Sequence, residues 1–180
     1  MAYINTIDPD HAEGIVKQEY EKGIHRAGHV YNILKIMSQS PAALKDAMRM
    51  YLTIMHGASE LSRAQREMIA TVVSQVNHCK YWIEAHGGDF RDEVGDQDLA
   101  EQLKKDWRAA QLSDIDKVLC SWVEKLTLTP SNMNKKDVEK LEGVGFSQSA
   151  ISDAAQVAGY FNYINRIADG LGVDLEDEME

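Results

Sequence analysis

Apolar residues recur every three or four positions through most of the chain, and this spacing constrains the fold more than any other feature. One broad helical face, in the segment after Ser62, carries five of them: Met68, Ile69, Val72, Val73 and Val76. No convincing run alternates between apolar and polar residues as a half-buried strand would. Only 3 prolines and 12 glycines interrupt the 180 residues. The pattern predicts an all-α fold, a compact bundle of about seven or eight helices.

Capping residues indicate where these helices begin and end. Ser40-Pro41 is typical of an N-cap followed by a first helical residue, and the helix it opens is expected to stop near His56-Gly57. Ser62 opens the next helix, with Gln65 three positions later as its capping-box partner. The other predicted helices cover about residues 11–22, 28–39, 97–111, 114–127, 134–142 and 147–170, with a segment from 79 to 86 that Gly87-Gly88 ends.

Composition limits the classes of function. The chain carries 19 Lys and Arg against 29 Asp and Glu, a net charge of −10, and has no basic patch. Binding to nucleic acid is therefore not expected. No apolar run reaches the ~18 residues of a membrane span, and the N-terminus does not resemble a signal peptide. We expect a soluble, cytoplasmic protein with one domain over residues 1–173 and a solvated acidic tail over 174–180.

The two cysteines indicate thiol chemistry or core packing rather than disulfides. Cys79 and Cys120 lie 41 positions apart, which suits a reducing compartment. Cys120 lies in the apolar stretch 118–122 and is predicted to fill the core. For Cys79 two interpretations stay open: it is a small buried apolar residue, or it is a reactive or lining residue of a functional site.

The chemistry-bearing residues of the chain cluster between positions 67 and 86. Cys79 and His86 are seven residues apart, which on a helix means the same face but ~10.5 Å of rise, so a water molecule or a third group would have to bridge them. A break at Asn77-His78 would let two helical pieces fold back on each other. The break would bring Glu67 towards His86 and place Cys79 at a helix N-terminus, where a thiolate is favoured. In an activated nucleophile, a carboxylate orients an imidazole, and the imidazole helps to deprotonate the thiol.

A carboxylate buried in a mostly apolar helix needs a partner. The candidates for Glu67 are His86, Arg63 and Arg66, and the two arginines are expected on the solvated side of the helix. His86 itself has an alternative role as a helix-end residue close to Gly87.

Four stretches carry a family resemblance. Residues 61–70 and 77–87 hold the acid, thiol and imidazole, residues 145–172 form the C-terminal stretch, and Ser40-Pro41 lies ahead of the central helices. Together they resemble the alkyl hydroperoxidase D-like, carboxymuconolactone decarboxylase superfamily in its peroxidase-related branch, over about residues 30 to 173. The family motif is a Glu, then Cys-x-x-Cys, then a His. The resemblance implies an AhpD-like helical bundle with Glu67, Cys79 and His86 at the Glu, first Cys and His positions.

One position departs from the family motif. Trp82 stands where the second cysteine is expected, so the dithiol cycle that the family implies cannot operate within this motif. Cys120 is the other candidate for a resolving thiol, but no sequence feature places it near Cys79. A one-cysteine route survives, in which Cys79 is oxidised to a sulfenic acid and an external thiol reduces it. Trp82 is interpreted as an aromatic plug or as the stacking wall of a substrate pocket, to which Tyr81 could donate a hydrogen bond.

Three functions follow from these features. The first is a peroxidase-related oxidoreductase that reduces a peroxide through Cys79, with Glu67 and His86 as a proton relay. The second is a catalytically degenerate binding or structural protein. The third is acid–base chemistry on a small acid or lactone through Glu67 and His86. No cofactor and no metal are expected, although His25 and His29 have helical ligand spacing. The family implies a homo-oligomer: a dimer, trimer or hexamer.

Overall fold

The computed structural model of the chain describes residues 2–179. Within them lie nine α-helices and no β-strand, which confirms the all-α prediction. One helix has only five residues, and short 3₁₀ turns supplement the set. The helices are α1 (Gly14–Ala27), α2 (Asn32–Ile36), α3 (Pro41–His56), α4 (Arg63–Asn77), α5 (Lys80–Val94), α6 (Gln97–Lys105), α7 (Asp114–Leu128), α8 (Lys135–Gly143) and α9 (Gln148–Leu171).

The described chain divides into two compact units. The first contains the residues up to Leu52 together with those from Arg166 onward. In this unit the Tyr20 hydroxyl donates to the Ile7 carbonyl at 2.9 Å. Glu176, which the sequence placed in a solvated tail, is buried and accepts a hydrogen bond from the Asn32 backbone N–H at 2.6 Å. The single domain over residues 1–173 stays a prediction.

The second unit, Thr53–Asn165, is built around α4. α4 packs against α5, α6 and α7, and its middle is buried all round from Arg66 to Ser74. A helix that is buried on every side must satisfy each polar side chain internally. Thr71 and Ser74 do so by donating to the carbonyls one turn earlier, those of Glu67 and Ala70.

Several helix boundaries agree with the capping signals. α3 runs from Pro41 to His56, as predicted. α4 begins after Ser62, whose hydroxyl accepts from the Gln65 N–H while the Gln65 side chain accepts from the Ser62 N–H, so the predicted capping box is confirmed. Such boundaries depend on local chemistry alone, which is why a sequence can specify them.

The end of α5 differs from the prediction. The helix continues through Gly87-Gly88 to Val94 and ends at Gly95, which is left-handed with φ 67°. Glycine inside a helix costs about 1 kcal/mol, and tertiary packing overrides that cost here. A Cβ at Gly87 would lie 2.5 Å from Cγ of Lys104, so a glycine is needed where the Lys104 stem crosses the helix.

None of the helices in the described part of the chain is long and apolar enough to cross a membrane.

Candidate active site

The connection between α4 and α5 has two residues, His78 and Cys79, and His78 is left-handed with φ 60°. The N–H groups of His78 and Cys79 donate to the carbonyls of Gln75 and Ser74, which ends α4. Cys79 is then the N-cap residue of α5. The predicted break at Asn77-His78 is thus confirmed, and the two helices pack side by side. Left-handed backbone is uncommon outside glycine, so the conformation of His78 and the sharp turn that it makes are unusual for a loop.

This turn brings Glu67 of α4 against His86 of α5. Oε2 of Glu67 lies 2.5 Å from Nδ1 of His86, and both side chains are fully buried. The other carboxylate oxygen of Glu67 forms an ion pair with Arg63, one turn earlier on α4. Arg63 was expected on the solvated side, and that expectation is wrong because a buried carboxylate needs a cation close by.

Arg66 is also buried rather than solvated. Its guanidinium donates to the carbonyls of Gly57, at 2.9 Å, and Ile54, at 3.3 Å. These carbonyls lie at and just after the C-terminal end of α3, where a helix leaves carbonyl groups without intrahelical donors. Arg66 therefore joins the end of α3 to α4 and leaves Arg63 to neutralise the carboxylate of Glu67.

Opposing effects set the ionisation of Glu67. Burial alone would raise its pKa. The charge of His86, its hydrogen bond, and the charges of Arg63 and His56 outweigh burial and hold the pKa of Glu67 below its ordinary value. Glu67 is therefore an anion at neutral pH, and its hydrogen bond fixes the orientation of the imidazole.

This pairing predicts a particular loss of stability in acid. Because the pKa of Glu67 is lowered in the folded state, its contribution to the free energy of unfolding is fully present above its ordinary value of 4.5 and is lost as the pH falls through the folded pKa. Urea unfolding at about pH 7 and about pH 3 measures this loss. We expect the wild type to lose more stability than Glu67→Gln, which has no carboxylate to protonate. An equal loss in both proteins would contradict the assignment.

Asp89 extends the pair towards solvent. Its Oδ2 lies 3.5 Å from Nδ1 of His86, and half of its side chain is exposed. Partial burial and the charge of Glu67 raise the pKa of Asp89, against the lowering effect of His86. Glu67, His86 and Asp89 offer one ligand atom each, all within 4.8 Å of one another, so they are the group that could hold a metal ion. Arg63 already supplies the cation that Glu67 requires.

Trp82 forms an aromatic wall against the imidazole. Its ring stacks on His86 with centroids 5.2 Å apart and an angle of 19° between the planes. The indole N–H donates to the Ile164 carbonyl of α9 at 3.3 Å, which fixes the ring. Phe161 meets both rings edge-on, at 4.5 Å from His86 and 5.8 Å from Trp82. Tyr81 contacts the other side of Trp82, at 5.1 Å.

Cys79 lies one helical turn before Trp82 and has no exposed surface. Its sulfur lies 3.9 Å from the Asn165 carbonyl, within reach of a thiol donor. His86 is seven residues further along α5, about 10.5 Å of axial rise, so the imidazole cannot bond the sulfur directly. Cys79, the N-cap residue of α5, and His86 within α5 are thus separated along that helix, with Trp82 between them in sequence, while Glu67 reaches His86 from α4.

A polar network surrounds the turn that carries Cys79. The Asn77 amide donates to the side-chain oxygens of Asn162, at 3.2 Å, and Asn165, at 3.0 Å. The Asn165 amide in turn donates to Ser74 at 3.1 Å. These bonds join Asn77, Asn162, Asn165 and Ser74 in one network. They hold the α4–α5 turn and the carbonyl that accepts from Cys79 in a fixed arrangement.

Cys120 stands apart from these contacts. It lies in the middle of α7, is buried, and forms no disulfide, like Cys79. Burial, with the nearby charges of Asp116 and Glu124, raises the pKa of the Cys120 thiol well above its ordinary value. A thiol that resists ionisation suits the predicted core role.

The structure brings together most of the site that the sequence proposed. His86 contacts both Glu67 and Trp82, Tyr81 contacts Trp82, and Cys79 lies at the start of α5, seven residues before His86. The sequence named Arg63 among the candidate partners of Glu67 but did not predict its inward position, although the i, i+4 spacing of the two residues allows the ion pair. Asp89, which lies one turn after His86, was not among the predicted site residues.

The sequence matches the family described as PA26 p53-induced protein (sestrin) over residues 3–178. No curated protein matches the chain significantly. Among solved structures, an uncharacterized peroxidase-related protein from Silicibacter sp. TM1040 is 32% identical, with a TM-score of 0.87, over 97% of this chain and 93% of that one.

Two other solved structures share the fold at lower identity. The alkylhydroperoxidase AhpD core protein from Ralstonia eutropha JMP134 is 22% identical with a TM-score of 0.93, over 99% of this chain and 94% of that one. The debrominase Bmp8 is 11% identical with a TM-score of 0.81, over 98% and 94%. The predicted AhpD-like fold is therefore confirmed. With the match spanning nearly its whole length, the chain belongs to the PA26 p53-induced protein (sestrin) family and has the fold of the alkyl hydroperoxidase D-like superfamily.

Proposed function

We propose that the chain is a thiol-dependent, peroxidase-related oxidoreductase in which Cys79 is the reacting thiol. The observation that carries the proposal is the buried contact between Glu67 and His86, on the helix pair whose turn ends at Cys79. The relative that is 32% identical is described as peroxidase-related, which agrees with it. The partners are a small peroxide and an external thiol, and assembly into a homo-oligomer stays a prediction.

The proposed reaction has an oxidative and a reductive half. The Cys79 thiolate attacks one oxygen of the peroxide, the O–O bond breaks, and the leaving alkoxide takes a proton to become an alcohol. Sulfur keeps the transferred oxygen as a sulfenic acid. One external thiol then attacks that sulfur, releasing water and forming a mixed disulfide. A second external thiol regenerates Cys79 and leaves with the first as a disulfide.

Glu67 and His86 serve this reaction as a proton relay. Glu67 remains an anion and holds Nδ1 of His86, so the imidazole is oriented for proton transfer. The ~10.5 Å of helix between His86 and Cys79 requires that protons pass through water or the peroxide itself. At Cys79 the positive N–H groups and dipole of the N-terminus of α5 favour the thiolate, while the burial of the sulfur opposes it.

The burial of Cys79 adds a requirement. Because the sulfur has no exposed surface, the peroxide reaches Cys79 only when the structure around it opens locally. Tyr81 and Trp82 would then line the path of the peroxide. The rate of thiol oxidation should therefore follow the frequency of opening rather than the intrinsic reactivity of the thiol.

Peroxide consumption with excess dithiothreitol tests the function. We expect turnover in the wild type and its loss in Cys79→Ser, because serine has no sulfur to carry the oxygen. Cys120→Ser is the matched control and should retain turnover, since Cys120 lies in the core of α7. Wild-type turnover that survives in Cys79→Ser would refute the proposal.

One observation favours a second function, a binding or structural protein without catalysis. Trp82 occupies the position of the second motif cysteine, and it is held by stacking on His86 and by its bond to Ile164. A ring held so firmly fills the space that a reactive sulfur would use. Absence of turnover with every thiol donor, in a wild-type protein that is folded, would favour this function over the first.

A further inference from the structure

A cavity of about 350 Å³ lies between α7 and α8, on residues that the proposed function does not use. Its size is near the lower end of the range for small-molecule sites, about 300–1,000 Å³. α7 presents one face to it through residues at i, i+4 and i+8, and Trp107, which follows α6, completes the wall. The lining residues are Trp107, Lys117, Val118, Ser121, Trp122, Lys125, Asp137 and Lys140.

The charge of this cavity is opposite to that of the chain. Three lysines and one aspartate line it, while the chain as a whole carries −10. The aspartate is already neutralised, because Lys125 bonds Asp137 at 2.6 Å. Lys117 and Lys140 form no ion pair with any carboxylate in the described residues. Two ammonium groups therefore face a cavity that lacks negative charge, which favours an anion.

The two tryptophans supply the observation that points to a ligand. Trp107 is 7% exposed and Trp122 is 8% exposed. Within residues 2–179, neither indole N–H has a hydrogen-bond acceptor. A buried donor without an acceptor is costly and uncommon in folded proteins. Both tryptophans line one lysine-lined cavity, but the two nitrogens themselves have almost no exposed surface, so an acceptor group of a ligand would satisfy them once the rings shift towards the cavity.

The body of such a ligand can also be inferred. Two indole rings and Val118 give the cavity apolar walls suited to a flat ring. Arg108 lies 4.9 Å above the Trp107 ring, which supports that ring from outside. The volume leaves room for a small molecule rather than a polymer.

We propose that this cavity is a binding site for a small aromatic anion, with a carboxylate or phosphate group between Lys117 and Lys140 and the ring against Trp107 and Trp122. The indole N–H groups would donate to oxygens of the ligand after a small shift of the side chains. Ser121, exposed at the edge of the cavity, offers a further donor. This site is separate in residues from Glu67, Cys79 and His86, so it stands whether or not the proposed function holds.

Isothermal titration with three probes of one shape tests the proposal. The probes are 2-naphthoate, 2-naphthyl phosphate and the neutral 2-naphthamide. We expect at least one of the anions to bind about tenfold or more tightly than the amide, because only the anions meet the lysines. Tighter binding of one anion identifies the carboxylate or the phosphate as the recognised group. Failure of both anions to bind, or equal binding of anions and amide, overturns the proposal.

Four variants identify the residues that bind the anion. Lys117→Glu and Lys140→Glu should each weaken anion binding about tenfold, because they place a negative charge in the cavity. Trp122→Phe keeps the ring but removes the donor, and should weaken binding about threefold. Lys135→Glu is the matched control, since Lys135 lies on α8 outside the cavity with 88% of its side chain exposed.

The folding of each variant is checked by its melting temperature. Lys140 is at the exposed rim, so Lys140→Glu remains a fair test even if Lys117→Glu unfolds. Equal weakening by Lys135→Glu and Lys140→Glu would show general electrostatics rather than a site, and would overturn the proposal.

Discussion

Replacing Glu67 with glutamine is expected to lower the free energy of unfolding by about 2–4 kcal/mol, because it leaves the charge of Arg63 without its buried counter-ion. Loss of one partner from a fully buried pair costs about 3–5 kcal/mol. We expect a smaller loss of stability here because 21% of the Arg63 side chain is exposed and water screens part of its charge. Urea unfolding at neutral pH measures the difference between the two proteins.

Glu139→Gln is the matched control for this experiment. Glu139 pairs with Lys135 at 3.3 Å on the surface of α8, where both side chains are largely exposed. Surface pairs contribute little, so Glu139→Gln should change the stability only slightly. A Glu67→Gln protein as stable as the wild type would mean that Glu67 is neutral or unpaired in the folded chain, against the assigned ionisation.

Replacing Phe161 with alanine is expected to destabilise the protein by about 3–5 kcal/mol, because it removes a fully buried ring from the contacts around His86 and Trp82. The ring meets both neighbours edge-on, so its loss also leaves a cavity beside the imidazole. The measurement is urea unfolding, with Trp fluorescence as the probe.

Tyr163→Ala, two positions further along α9, serves as the control for the loss of an aromatic ring. Its side chain is 41% exposed, and its ring centroid lies 6.1 Å from that of Tyr160. The change should cost less than about 1 kcal/mol. Comparable losses of unfolding free energy in Tyr163→Ala and Phe161→Ala would contradict the conclusion that the Phe161 ring stabilises the cluster around His86 and Trp82.

Local signals explain why so much of the fold could be predicted. The start of α4 is specified by Ser62 and Gln65, whose hydrogen bonds span three residues and need no tertiary partner. The break after α4 is foreshadowed by Asn77, a residue that competes for backbone hydrogen bonds. The end of α5 could not be predicted in this way. Gly87 does not end the helix but lies within it, where it makes room for the side chain of Lys104 from α6, and the sequence does not reveal that contact.

In the candidate site too, contacts set by local sequence were predicted, and contacts set by the packing of other helices were not. Glu67 and His86 were predicted to meet because a single break between them leaves few other arrangements. The inward position of Arg63 was missed because the desolvation of Glu67, which decides it, depends on three helices packing around α4. The stacking of Trp82 on His86 follows from their i, i+4 spacing, but its fixation by Ile164 comes from α9.

The proposed role of Cys79 as the reacting thiol is tested most directly by mapping peroxide-dependent sulfenic acid by mass spectrometry, with a dimedone probe on the native protein. Cys79 and Cys120 are equally buried, so exposure alone does not favour either, and only Cys79 lies at a helix N-terminus beside the Glu67–His86 helix pair. We expect dimedone on Cys79, a weaker signal there in His86→Ala, and none on Cys120. Label on Cys120, or none on Cys79 after peroxide, would contradict it.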